Sequence, residues 1–263
     1  MPKASEIAAS STSPRLVPLL SQGITACLFD LDGVLTKTAE VHAKAWKEMF
    51  DAFLRKHAQR GDEPFHPFET ATDYATYVDG KLREDGVRAF LASRGIDLPE
   101  GSPDDPPSAE TMYGLGTRKN DLVLALIREQ GVDVYVGSMR FVRVVRDAGL
   151  RCAVVSASKN TGEVLKAAGI AGLFEVRVDG IVAAAEGLPG KPAPDTFLAA
   201  ASKLDVDPVN CAVFEDAVAG VEAGRAGNFG CVVGVDRVGQ AEVLLSHGAD
   251  IVVADLGELL EEL

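Results

Sequence analysis

The chain has 263 residues, 47% hydrophobic and 25% charged, with a formal net charge of −13 and a pI near 4.8. This is the balance of an ordinary globular protein with a sizeable core, and its acidity argues against a nucleic-acid or anionic-membrane partner, which would favour a basic face. No apolar stretch approaches the ~20 residues of a membrane-spanning helix, and the four cysteines show no CxxC spacing for zinc or redox work. A cytoplasmic monomer with no nucleic-acid or membrane partner is expected.

Residues 1–21 scatter Ser and Pro around one early Lys and read as a poorly ordered leader, not a signal peptide. Six short runs rich in Val, Ile, Cys and Phe follow along the chain: ITACLF (24–29), CAVVS (152–156), FEVRV (174–178), CAVFE (211–215), CVVGV (231–235) and DIVVA (250–254). They are continuously apolar rather than alternating, as strands buried on both faces are. Helical patterns such as TGEVLKAAG and DTFLAAASKL lie between them. The expected fold is therefore α/β: a doubly wound, mostly parallel, Rossmann-like sheet. Cys27, Cys152, Cys211 and Cys231 fall in these runs and read as buried free thiols.

Residues 38–133 break the pattern. They hold helical stretches, AEVHAKAWKEMFDAFLRKH and RKNDLVLALIREQ, around a Pro/Gly/Asp loop, RGIDLPEGSPDDPPSAE. This predicts a helical cap domain inserted after the first strand, with 22–37 and 134–263 forming the core and the two junctions a hinge.

In open α/β sheets the ligand site lies beyond the carboxyl ends of the strands. There the sequence places Asp30 and Asp32 after the first run, Ser156 after the second, and Glu215–Asp216 after the fourth; Lys191 precedes the helix that leads into the fourth. Each alone has a plain reading: DxDG as a turn, Ser156 as a cap, Lys191 as a solvated lysine, Glu215–Asp216 as a helix-start acidic pair. An EF-hand is excluded, because Leu35 and Val41 stand where its glycine and final glutamate belong. Jointly they describe a phosphate site with a divalent cation. Asp30 and Asp216 offer hard oxygens to Mg²⁺, while Ser156, Lys191 and backbone N–H groups take the phosphoryl oxygens. Ser156 also lies just ahead of a helix start at Asn160–Thr161, and helix N-termini favour anions.

The ordered set Asp30-x-Asp32-Gly33-Val34, Ser156, Lys191-Pro192 and Glu215-Asp216 resembles the haloacid dehalogenase superfamily of phosphotransferases. Its FDLDGV, T-x-TAE-x-H-x-x-AW, RKN, SASKN and GKPAPD stretches resemble the β-phosphoglucomutase branch of that superfamily. The resemblance implies that Asp30 is a nucleophile forming an aspartyl phosphate, and Asp32 a general acid and base. It implies Mg²⁺ held by Asp30, the Asp32 carbonyl, Glu215 and Asp216, and puts Thr38 and His42 at hinge and proton-relay positions. Phosphate and substrate binding would fall to Gly33, Ser156, Ala157, Ser158, Lys159, Asn160 and Lys191. A second phosphate would be anchored by Arg83 of the cap, with Lys81 and Lys119 beside it. From residue type alone, Arg83 and Lys81 decorate a loop as readily, and His42 and Trp46 are equally a helical packing pair.

The implied activity is a Mg²⁺-dependent mutase that interconverts β-glucose 1-phosphate and glucose 6-phosphate through glucose 1,6-bisphosphate, with a small sugar phosphate as its partner. The alternatives are a sugar-phosphate phosphatase on the same scaffold, a non-catalytic sugar-phosphate sensor and a dehalogenase. The chain departs from the branch's cap motif at Asp79, commonly a basic residue, and at Gly86–Val87, commonly Ser-Leu.

Overall fold

The computed structural model describes residues 23–62 and 64–260; the expected leader, 1–21, lies outside them. Six strands form one sheet in the order β3-β2-β1-β4-β5-β6. They are β1 (Ala26–Phe29), β2 (Arg151–Val155), β3 (Val176–Val178), β4 (Cys211–Glu215), β5 (Cys231–Val235) and β6 (Ile251–Val253). Every pairing is parallel. All six expected runs are strands, and the two edge runs are trimmed to three residues each, as short edges resist unwanted pairing.

Alternate residues of each strand face opposite layers. Cys27, Phe29, Cys152, Val154, Ala212 and Phe214 pack one layer with Phe141, Val142 and Val145. Ala26, Leu28, Ala153, Val155 and Val213 pack the other with Phe197, Ala200 and Leu204. Helices cover both faces, which is why the strands read as continuous apolar runs. The four cysteines are free and buried, as expected.

Helix α1 (Thr38–Gly61), a nine-residue π-helical turn (Thr70–Val78), α2 (Arg83–Ser93) and α3 (Met112–Gln130) fill the insertion. Trp46, Met49, Phe50 and Phe53 recur at helical spacing on α1 and meet Phe68, Phe90, Leu91 and Leu115 in a cluster distinct from the two sheet layers. The Thr111 hydroxyl caps α3 by accepting from the Gly114 N–H at 2.9 Å. The insertion leaves and rejoins the sheet side by side, through Lys37 N–H to Asp133 O (2.9 Å) and Tyr135 N–H to Leu35 O (3.0 Å). After it come α4 (Val136–Asp147), α5 (Thr161–Ala167), α6 (Gly180–Glu186), α7 (Asp195–Lys203), α8 (Val218–Ala226) and α9 (Ala241–Ser246). Among the described residues no helix is long and apolar enough to cross a membrane.

Strand order reverses between β1 and β4, so the crevice beyond their carboxyl ends is the topological switch point. A stack of rings floors it: Phe29 and Phe214 lie 4.6 Å apart at 17°, with Phe141 edge-on to Phe214 at 5.2 Å. Phe214→Ala is expected to cost about 3–5 kcal/mol, measured as a lower denaturant midpoint; a loss below about 1 kcal/mol would mean that the stack does not carry the sheet.

Candidate active site

Asp30 leaves β1 with its N–H still bonded to Phe214 O (2.9 Å), and Ser156 leaves β2 bonded likewise to Val178 O (3.0 Å). The sheet ladder thus fixes where both side chains start. Asp30, Glu215 and Asp216 each present one carboxylate oxygen within 4.8 Å of the others, and they are only 5%, 0% and 8% exposed. Lys191 runs between them: its Nζ donates to Asp30 Oδ1 at 2.6 Å and to Glu215 Oε1.

Burial pushes Asp30 and Asp216 well above the usual carboxylate range, and repulsion from neighbouring acids adds to it. Burial alone would depress the Lys191 ammonium, but Asp30 and Glu215 outweigh it and hold its pKa above the ordinary value. Once all three carboxyls ionise, one ammonium leaves an excess of negative charge that a hard dication would match.

Two glycines make this crowding possible. Gly33 has φ +91°, and a Cβ there would stand 1.8 Å from Asp216 Oδ2; a Cβ on Gly220 would stand 1.9 Å from the Glu215 carboxyl carbon. Any side chain at Gly33 would displace an acid of the cluster and strain the backbone.

Asp32 points elsewhere. Thr38 donates to its Oδ1, and Ser156 Oγ approaches its Oδ2 at 3.3 Å. His42 Nε2, without a hydrogen-bond partner, lies 3.5 Å from Oδ1. Behind it Lys119 Nζ meets His42 Nδ1 at 2.8 Å. With Lys119 charged, its ammonium offers only donors, so Nδ1 accepts and Nε2 carries the hydrogen that faces Asp32. Burial, then the Lys119 charge, lowers the His42 pKa to about 4 and keeps the ring neutral. Burial likewise lowers Lys119 to about 7. Thr38, His42 and Lys119 all come from the insertion, so the groups around Asp32 are assembled only where insertion meets sheet.

The cleft is lined by Asp30, Asp32, His42, Lys81, Arg83, Lys119, Ser156, Ala157, Ser158, Lys159, Asn160, Glu215 and Asp216, among others, and its cavity is ≈ 60 Å³. Of the expected site residues, Gly33 and Lys191 stand behind these, and three hold partners that the sequence did not suggest. The Gly33 N–H is bonded to Thr36 O (2.8 Å) and is not offered to a phosphate. The Lys81 ammonium turns back to Thr76 O (3.0 Å), within its own insertion. Lys119, expected beside a phosphate, is engaged by His42 and lies 4.7 Å over the Trp46 ring.

Sequence reasoning missed four groups. Tyr74 and Asp79 line the cleft from the π-helical turn and its end. Burial and then the Glu215 charge raise Asp79 to about 7, and burial, with Asp79 close by, raises Tyr74 as well. A π-helical turn is often functional, but no spacing signal announced one. Asn120 accepts from Asn160 Nδ2 at 2.9 Å, joining insertion to core; it stood in the RKN stretch without being singled out. Glu84 sits between Arg83 and Lys159.

A family model described as haloacid dehalogenase-like hydrolase matches residues 24–228. The chain belongs to that family. It is 58% identical over 244 residues to the β-phosphoglucomutase of Mycobacterium bovis, covering 92% of this chain and 93% of that protein. It is 33% identical over 238 residues to the β-phosphoglucomutase of Bacillus subtilis, covering 90% and 92%. Among solved structures it resembles β-phosphoglucomutase from Clostridium difficile, with a TM-score of 0.70 at 28% identity over 90% of this chain and 93% of that one.

Gly33→Ala is expected to destabilise the fold by about 2 kcal/mol or more and to weaken divalent-cation binding by roughly tenfold or more. Thermal unfolding and cation calorimetry measure the two, and an unchanged cation affinity would disprove the packing of Gly33 on Asp216. Lys119→Met should let the His42 pKa rise from about 4, as followed by NMR titration of the ring. A constant or falling value would show that Lys119 does not set the charge state of that ring.

Proposed function

We propose that the chain is a Mg²⁺-dependent β-phosphoglucomutase, monomeric and cytoplasmic, that works through an aspartyl phosphate on Asp30 and a glucose 1,6-bisphosphate intermediate. The donor set fits the ion: three buried carboxylates within 4.8 Å of one another, with a single lysine as internal counter-charge. Asp30, Glu215 and Asp216, with the Asp32 carbonyl, would hold it. Bound there, Mg²⁺ would neutralise the equatorial oxygens of the transferring phosphoryl group.

The rest is the work of the chain's own residues. Phosphorylated Asp30 gives its phosphoryl group to O6 of β-glucose 1-phosphate while the Asp32 carboxylate takes the O6 proton. The bisphosphate turns round, and an Asp30 oxygen attacks the phosphorus at C1; the bond to O1 breaks and Asp32 returns the proton to that oxygen. Thr38 and Ser156 fix the Asp32 carboxylate, and the Nε2–H of His42 faces the oxygen that shuttles the proton. Lys191 holds the Asp30 carboxylate from behind.

One observation carries this reading over simple hydrolysis. The cleft has a second cationic end, where Arg83 of the insertion and Lys159 of the core converge on one carboxylate oxygen, at 3.1 Å and 2.9 Å. A hydrolase acting on one phosphate has no need of that end, whereas a bisphosphate that turns round needs an anchor for each phosphate. The cavity of ≈ 60 Å³ is well below the ~300–1,000 Å³ of a cleft that takes a drug-sized ligand. The insertion, proposed as a cap over 38–133, must therefore lift to admit the sugar and close to exclude water.

The test is incubation with Mg²⁺, β-glucose 1-phosphate and a trace of glucose 1,6-bisphosphate, scoring glucose 6-phosphate and free phosphate separately. Glucose 6-phosphate as the main product is expected; stoichiometric free phosphate would make the protein a phosphatase. Asp30→Asn should abolish turnover, and Asp32→Asn should slow it by roughly 10²–10⁴. Arg83→Ala should lower mutase kcat/KM by about 10- to 100-fold while hardly touching hydrolysis of a small phosphate ester; equal losses would remove Arg83 from the second-phosphate role.

A further inference from the structure

The cations at the second end of the cleft are already bridged, and half offset, from within. Arg83 and Glu84 open α2, on the insertion, and Lys159 follows Ser156 and Ser158 on the core. The Oε1 atom of Glu84 accepts from Arg83 Nη2 (3.1 Å) and Nε (3.3 Å) and from Lys159 Nζ (2.9 Å). The Glu84 and Arg83 side chains are only 13% and 18% exposed, and Lys159 30%. Burial alone would raise the Glu84 pKa, but Arg83 and Lys159 reverse it and hold the carboxyl below its ordinary value. One oxygen thus ties a cation of the insertion to a cation of the core, and both are side chains that commonly bind phosphate oxygens.

We propose that Glu84 is a built-in substitute for the distal phosphate: in the free protein its carboxylate clasps the insertion to the core, and an incoming phosphate displaces it from Arg83 and Lys159. The inference rests on the reading of those two residues as the distal anchor. Its consequence is selectivity. A neutral hexose offers nothing to replace the bridging oxygen, and a monoanion exchanges like for like. A phosphate dianion supplies more charge and more acceptor oxygens than the carboxylate it expels. Glu84 therefore lowers affinity for every anion but sets a threshold that a phosphate crosses. The swap also couples ligand exchange to movement of the insertion, because the same oxygen is its tie to the core.

Calorimetric titration with inorganic phosphate, in EDTA, tests this on the full chain. EDTA removes the divalent cation that would draw phosphate to the acidic end, so the titration reads the Arg83–Lys159 end. Glu84→Gln keeps the shape and removes the charge; it should tighten phosphate binding by about tenfold, and the gain should vanish in Glu84→Gln/Lys159→Ala. A merely structural Glu84 would give weaker or unchanged binding in Glu84→Gln. That result, with Lys159→Ala and Arg83→Ala still weakening phosphate binding in the otherwise native chain, overturns the clasp and leaves the anchor standing. If Lys159→Ala and Arg83→Ala leave phosphate binding unchanged, the anchor itself falls and the clasp with it.

Discussion

The whole site depends on the ion pairing of Lys191. Removing an ammonium and three carboxylates from water costs several kcal/mol per ion, and here all four groups are less than a tenth exposed. The lysine is held by Asp30 and Glu215 and reaches Val155 O at 3.4 Å, so its donors are spoken for. Its one charge is shared between two of the acids, and Asp216 has no lysine of its own. A cluster like this is weak evidence for stability, because a well-packed apolar trio would serve the fold as well. It is strong evidence for cation chemistry, since only a further positive charge makes the arrangement favourable.

The fold makes that cluster by bringing three strand ends to one point. Asp30 and Ser156 are held by continuing ladder bonds, and Glu215 is the last residue of β4. The approach is closer than side chains usually allow, and glycines at 33 and 220 supply the room. The groups around Asp32 are built on another principle. Asp32 belongs to the core, but Thr38, His42 and Lys119 belong to the insertion. The acidic cluster therefore persists in any position of the insertion, while the environment of Asp32 exists only when the two parts meet. On the function proposed above, chemistry that depends on Asp32 would in that way be tied to closure.

This division explains what was legible in the sequence. Continuous apolar runs bounded by Asp, Ser and Glu announce buried parallel strands with polar ends, and strand order needs no side-chain detail to put those ends together. Hence the sheet, Asp30, Ser156, Lys191 and the Glu215–Asp216 pair could all be read from spacing. Insertion residues are set by tertiary approach, which leaves no period behind. Lys119 looks like any cation on a helix until His42 is seen 2.8 Å away. Lys81 looks as available as Arg83, yet it folds back on Thr76 O. Gly33 looked like a phosphate-binding N–H donor. Its value is the missing Cβ and the positive φ, and its N–H serves the turn. Tyr74 and Asp79 depend on a π-helical turn, whose five-residue hydrogen-bond spacing (Asp79 N–H to Tyr74 O, 3.0 Å) no hydrophobic pattern encodes.

The two ends of the cleft then follow one rule of charge, applied with opposite sign. At the sheet end acids outnumber cations, and Asp79, in place of a base, brings one more acid from the insertion, its pKa lifted to about 7 by burial and by Glu215. At the far end cations outnumber acids, with Arg83 and Lys159 bridged by the single carboxylate of Glu84. A phosphate alone is repelled by the first end and must compete for the second. A divalent cation alone satisfies the first and leaves the second as it was. A phosphorylated sugar arriving with its cation satisfies both, because the metal offsets the sheet-end acids and the distal phosphate replaces Glu84. The excess of acid over the nucleophile and the internal anion at the far end are thus two halves of one filter. On the function proposed above, it would favour a ligand with two phosphates, in company with a metal, over either component alone.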